Sequence, residues 1–187
     1  MICGNVFGAC LLKSLAISTK TTISEDKNEM IKILFVCHGN ICRSPMAEFV
    51  FKDMVKKRGL EREFHIESRA THTDEIWNGQ GSPVYPPAKA KLAEMGISCK
   101  GKTAQLLVKS DYKDYDFIIG MDSENARWMP RILGGDPEEK ISLLMDYTDH
   151  PRSVADPWYT GNFEATYNDV IEGCEGFLDY LKDKNLI

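Results

Sequence analysis

The sequence predicts an α/β fold built on a parallel sheet, and three observations carry that prediction. Residues 31–36 are a nearly continuous apolar run with β-branched and aromatic members, as a strand buried on both faces requires. A short polar loop and then helical periodicity follow it, and a second strand-like run at 64–68 completes a βαβ unit with its right-handed crossover. Two later apolar runs, 116–121 and 141–145, stand between helical segments in the same alternation.

Taken in order, Ser44 and Pro45 supply the start of the first helix, and Met46, Phe49, Val50 and Val55 recur at helical spacing until Gly59. Phe64 to Ser68 alternates as the second strand. Residues 69–87 are rich in Gly, Pro, Ser and Asn and too long for a simple connector, so they read as a functional loop carrying Trp77. That Trp either walls a cleft or covers the edge of the core. His65 and His72 read as hydrogen-bonded structural histidines. A helix over 87–94 stops at Gly96, and Ala104, Leu106, Leu107 and Val108 suggest another short helix. Residues 116–121 are the third strand, after which Asp122 or Ser123 caps a helix that Pro130 interrupts. A turn at 134–137 leads into the fourth strand at 141–145, and a second long loop spans 146–162. From 163 to 181, Phe163, Tyr167, Val170, Ile171, Cys174, Phe177, Leu178 and Leu181 form a core-facing stripe at spacings of three and four.

The first strand-to-helix loop holds Cys37-x5-Arg43. Backbone N–H groups and the positive end of the helix dipole converge in such a loop, so an oxyanion is stabilised there. A cysteine beside that potential is favoured as thiolate. Arg43 offers a planar fork that grips two phosphate oxygens. Gly39 keeps the turn permissive, Asn40 tolerates a left-handed backbone, and Ser44 can donate a hydroxyl hydrogen bond to the sulfur. Together these residues describe attack by sulfur on phosphorus. Cys37, His38 and Cys42 also suggest metal ligands, but no second Cys/His cluster completes a tetrahedral set.

The stretch CHGNICRSPMAE resembles the phosphate loop of the low-molecular-weight protein tyrosine phosphatases, and the resemblance extends over about residues 31–183. It implies a three-layer, four-stranded parallel sheet of order 2-1-3-4 with helices on both faces. It implies Cys37 as nucleophile, Arg43 as phosphate clamp, and His38, Gly39, Asn40, Ile41, Cys42 and Ser44 as phosphate-binding and supporting loop residues. An Asp-Pro pair alone is a common turn signal, but Asp156-Pro157-Trp158-Tyr159 is similar to the family's general-acid motif. The resemblance therefore gives Asp156 the role of protonating the leaving group, and gives Trp77, Trp158 and Tyr159 the substrate entrance. It also suggests that Cys37 and Cys42 form a reversible protective disulfide, against simple packing of Cys42 beneath the loop. No metal and no cofactor is required, because Arg43 and the loop amides supply the positive charge.

The implied partners are tyrosine-phosphorylated proteins. Protein-arginine phosphatases are similar but carry threonine where this chain has Ile41, and arsenate reductases of the same fold need a cysteine pair where this chain has none between Cys99 and Cys174. A phosphate-binding module without catalysis is the remaining alternative. The net charge of −5 over 187 residues argues against nucleic acid or an anionic membrane surface as partner. The six cysteines do not look like a disulfide scaffold, and a thiolate mechanism needs reduced sulfur, which points to the cytoplasm. Residues 30–187 form one domain of suitable length. Residues 1–29 break in composition with the rest: either a poorly ordered extension or an overextended reading frame with Met30 as the natural start, preferred over an export signal because no basic residue precedes the apolar part.

Overall fold

The computed structural model describes residues 30–187, so the expectations for residues 1–29 lie outside the described residues. The elements run β1 (Ile31–Cys37), α1 (Arg43–Lys57), β2 (Phe64–Ala70), β3 (Ile76–Trp77), β4 (Gln80–Gly81), α2 (Pro86–Glu94), α3 (Asp111–Asp114), β5 (Phe117–Gly120), α4 (Ser123–Leu133) and β6 (Ile141–Leu143). A 3-10 turn (Leu144–Tyr147), α5 (Pro157–Thr160) and α6 (Phe163–Asp183) complete the chain.

Four strands form a parallel sheet in the order β2-β1-β5-β6, which is 2-1-3-4 when only its own strands are counted. The apolar run of β1 explains its central place. Ile33 and Phe35 pack with Phe51 of α1 and Phe177 of α6, while Leu34 and Val36 pack with Met129 and Leu133 of α4 and with Tyr112 and Tyr115. Alternate side chains of one strand thus feed two separate cores, giving three layers. Each fully buried side chain of this size contributes about 1.5–3 kcal/mol relative to exposure.

Four local expectations are corrected. Residues 104–108 are not helical: Ala104 N donates to Ser82 O (2.8 Å), Gln105 O accepts from Ala70 N (2.6 Å), and Leu107 N donates to Ala70 O (2.8 Å). Those long-range bonds use the groups a helix would need, and they extend the sheet edge beyond β2. The loop at 69–87 contains the antiparallel β3-β4 hairpin, turned by Asn78 and Gly79, both at positive φ. The helix after Asp122 runs through Pro130 to Leu133, because burial of Met129 and Leu133 against the sheet offsets one lost backbone bond, and Gly134 in the left-handed conformation then ends it. The fourth strand stops at Leu143, and the 3-10 turn takes its last expected residues.

Candidate active site

The C-terminal ends of β1 and β5 open onto one crevice, the place where a parallel sheet offers a ligand site. β1 delivers Cys37 there, and α1 begins six residues later at Arg43. Cys42, at the N-cap of α1, makes no side-chain cap, and the first turn holds no acid. The leading N–H groups of the helix therefore remain available to an anion. Asn40 takes φ 57°, the left-handed conformation its residue type tolerates.

The sulfur of Cys37 lies 3.0 Å from Ser44 Oγ and receives Asn40 N–H at 3.3 Å. A buried relay decides which way the Ser44 hydrogen points. Glu48, a carboxylate paired with Lys52 at 2.6 Å and Lys102 at 2.8 Å, accepts from Ser68 Oγ at 2.6 Å. The Ser68 oxygen then accepts from Asn40 Nδ2 (2.8 Å), whose other hydrogen goes to Ser44 Oγ (2.8 Å). Gln105 N–H on Asn40 Oδ1 (3.0 Å) fixes the amide orientation. The Ser44 hydrogen is left for the sulfur, since its alternative acceptor, the Arg69 carbonyl, is 3.5 Å away. Burial pushes the Lys102 ammonium pKa down against the pull of Glu48.

Arg43 is almost wholly buried, and two carboxylates hold it. One amino group bonds Asp122, the N-cap of α4, and the other reaches Asp156 Oδ2 at 2.6 Å. Burial opposes its charge, but Cys37, Asp156 and Asp122 outweigh that and push its pKa up. Asp156 caps α5 by accepting from Trp158 N–H at 3.0 Å. Its loop is anchored by Val154 N–H on Met121 O (2.8 Å), Ala155 N–H on Asp169 (2.8 Å) and Thr166 Oγ1 on Ala155 O (2.8 Å).

These groups surround a cavity of about 290 Å³ whose lining includes Cys37, Arg43, Asp156, Ile41, Trp158 and Tyr159. His38, Gly39 and Cys42 also line it, whereas Asn40 and Ser44 lie buried beneath. His38 Nε2 meets Asp74 Oδ2 at 2.7 Å, and its ring stacks on His72 at 4.0 Å. Trp158 packs on Tyr85 at 5.7 Å. Trp77 stands on β3, 71% exposed, and is not among the lining residues. Burial, with Cys37 next, pushes the Cys42 thiol up to about 12, so it stays protonated. Asp122, Glu48, Ser68, Lys102 and the lining residues Asp74 and Glu75 were not assigned to the site from sequence. Among the described residues no group of three or more His, Cys, Asp or Glu side chains converges to hold a metal ion.

The family model described as low molecular weight phosphotyrosine protein phosphatase matches residues 32–186. The low-molecular-weight protein-tyrosine-phosphatase YfkJ of Bacillus subtilis is 39% identical over 160 residues, covering 84% of this chain and 100% of the relative. The crystal structure of YfkJ superposes with a TM-score of 0.78 at 37% identity, over 83% of this chain and 97% of that one. PtpA of Staphylococcus aureus (strain MRSA252), of the same description, is 35% identical over 161 residues, 84% of this chain and 98% of the relative. The structure of DARP, a Drosophila arginine phosphatase, matches with a TM-score of 0.72 at 30% identity, over 81% and 98%. With a buried thiol and arginine on one strand-to-helix loop and a family match over nearly all the described residues, the chain belongs to the low-molecular-weight phosphotyrosine protein phosphatases.

Proposed function

We propose that the chain hydrolyses phosphotyrosine in proteins in two steps, with Cys37, Arg43 and Asp156 in the reacting roles and residues 30–187 as the catalytic domain. Cys37 thiolate attacks phosphorus; the S–P bond forms as the P–O bond to the phenol breaks, and the leaving oxygen takes the Asp156 proton. Water then attacks the phosphocysteine, Asp156 accepts its proton, the S–P bond breaks and inorganic phosphate leaves. The guanidinium of Arg43 has five N–H donors, of which Asp122 and Asp156 engage two. The others, with the loop amides, serve the three phosphate oxygens whose charge grows in the transition state.

The observation that supports this reading best is the 2.6 Å contact of Arg43 with Asp156, because it brings an acid from a distant loop to the cavity that Cys37 lines. Hydrolysis of p-nitrophenyl phosphate and of a phosphotyrosine peptide tests it. Cys37→Ser abolishes both activities; Asp156→Asn lowers kcat by about 10²–10⁴, more for the poorer phenol leaving group. Activity undiminished in Cys37→Ser would end the proposal. Because a thiolate and a carboxylic acid must coexist, kcat/KM follows a bell-shaped pH profile.

Likeness to DARP makes phosphoarginine the competing substrate. Ile41 supports the aromatic one: it lines the cavity with an apolar side chain beside Trp158 and Tyr159. A phosphoarginine protein offered in the same assay separates the two. Cys37, Cys42, Cys99 and Cys174 are all unpaired thiols, which fits the reducing cytoplasm that the mechanism requires. No described helix is long and apolar enough to cross a membrane.

A further inference from the structure

The floor of the cavity accounts for how a phosphate is held, and its rim bears on which phosphotyrosine is chosen. Charges there are unevenly committed. Arg43 is engaged by Asp122 and Asp156, and His38 by Asp74. Glu75 also lines the cavity, half-buried, and no cation of the described residues lies within ion-pair distance of it. Its position is fixed. The side chain rests on the phosphate loop, its Cγ 3.0 Å from where a Cβ on Gly39 would stand. Its carbonyl accepts Ser82 N–H at 2.8 Å across the base of the β3-β4 hairpin, and Ile76 N–H, the next residue, donates to Thr73 O at 2.8 Å. Trp77, 71% exposed, follows two residues after Glu75, in strand β3 of that hairpin. A carboxylate followed by an exposed indole suits an ammonium or guanidinium group on both counts, ion pairing and cation–π contact.

A peptide that inserts its phosphotyrosine into this cavity must carry its neighbouring residues past Glu75. A cation there pairs with the carboxylate, whereas an acid meets Glu75, Asp74 and the overall negative charge of the molecule. We propose that Glu75, with Asp74 beside it, selects phosphotyrosine flanked by lysine or arginine. This inference rests on the phosphotyrosine reading above and narrows it to a class of substrate.

Two phosphotyrosine peptides that differ only in carrying Lys or Glu on either side of the phosphotyrosine test it, by the ratio of their kcat/KM values. The wild-type ratio favours Lys on the order of fivefold to tenfold at low salt, the reach of one partly exposed ion pair plus one repulsion. It shrinks at about 1 M salt, where screening is nearly complete. Glu75→Gln brings the ratio to within about twofold of one, and Glu75→Lys inverts it. Each ratio is taken within a single variant, so any change in general activity cancels, and p-nitrophenyl phosphate turnover reports that the variant is folded. A wild-type ratio at or below one, or a ratio that survives both substitutions, overturns the inference while leaving the phosphotyrosine reading intact. Failure to cleave either phosphotyrosine peptide while a phosphoarginine peptide is turned over defeats the substrate reading itself, and this inference with it.

Discussion

Four hydrogen bonds removed from the sulfur of Cys37, Glu48 helps to set the hydrogen bond that the nucleophile receives. A carboxylate only accepts, so Ser68 donates to it, Asn40 donates to Ser68 and Ser44, and the Ser44 hydrogen is directed at Cys37 Sγ. A hydroxyl donor to a thiolate is a charge-assisted bond of about 1.5–3 kcal/mol. Ser44→Ala should therefore lower kcat/KM for p-nitrophenyl phosphate roughly 10- to 100-fold. Urea denaturation should show that the variant remains folded; full activity in a folded Ser44→Ala protein would mean that the sulfur does not need this donor. The sequence made one end of this chain legible and not the other. Cys37, Arg43 and Ser44 lie within one loop whose spacing carries the chemistry, and Asn40 could be matched to its left-handed backbone from residue type alone. Ser68 and Lys102 lie 28 and 62 residues from Asn40, and only the fold brings them near. Glu48 did leave a signal: an acid among Met46, Ala47, Val50 and Phe51, on the face that α1 buries.

Elements followed the same logic, legible where a pattern is long and obscured where a tertiary contact overrides it. The stripe on α6 and the run of β1 declared themselves, whereas residues 104–107 mimicked a helix because their backbone partners, Ser82 for Ala104 and Ala70 for Gln105 and Leu107, are remote. Gly176, inside α6, turns this conflict into a test. Helix propensity says that Gly176→Ala stabilises by about 0.5–1 kcal/mol. The packing says otherwise: a Cβ there would stand 2.1 Å from the Tyr147 carbonyl oxygen and 2.9 Å from its carbon, on the 3-10 turn that leads into the Asp156 loop. Backbone cannot swing aside as a flexible side chain can, so overpacking wins. Gly176→Ala should destabilise by about 1–3 kcal/mol in urea denaturation. A gain in stability would show that the turn yields, and that propensity, not contact, governs this helix.

The whole molecule gathers a site from the ends of separate strands: Cys37 at the end of β1, Asp122 after β5 and Asp156 in the long segment after β6. Such a site depends on the sheet staying intact, and one contact at its edge sets a limit at each end of the pH range. Glu67 on β2 accepts from Arg69 at 2.5 Å and from the Tyr115 hydroxyl at 2.9 Å. Burial alone would raise the Glu67 pKa, but the bonds from Arg69 and Tyr115 outweigh it and hold it below its ordinary value of 4.5. A depressed folded pKa means that the unfolded chain takes up the proton first. The stabilisation is thus complete above pH 4.5 and is lost as pH falls through the depressed value. Tyr115 has the opposite sign: burial, then Glu67, push its pKa above 10.0, so its contribution is complete below pH 10.0 and is lost as pH rises toward the raised value. Because about a third of the Glu67 side chain (34%) is open to solvent, its share is at most about 1 kcal/mol. Urea midpoints at pH 7 and about pH 3.5 should fall less in Glu67→Gln than in the wild type, because the amide has no proton to gain. An identical fall in both proteins would move the origin of acid sensitivity away from this edge, toward the exposed clamp of Arg152 on Glu172, whose carboxyl pKa that arginine also lowers.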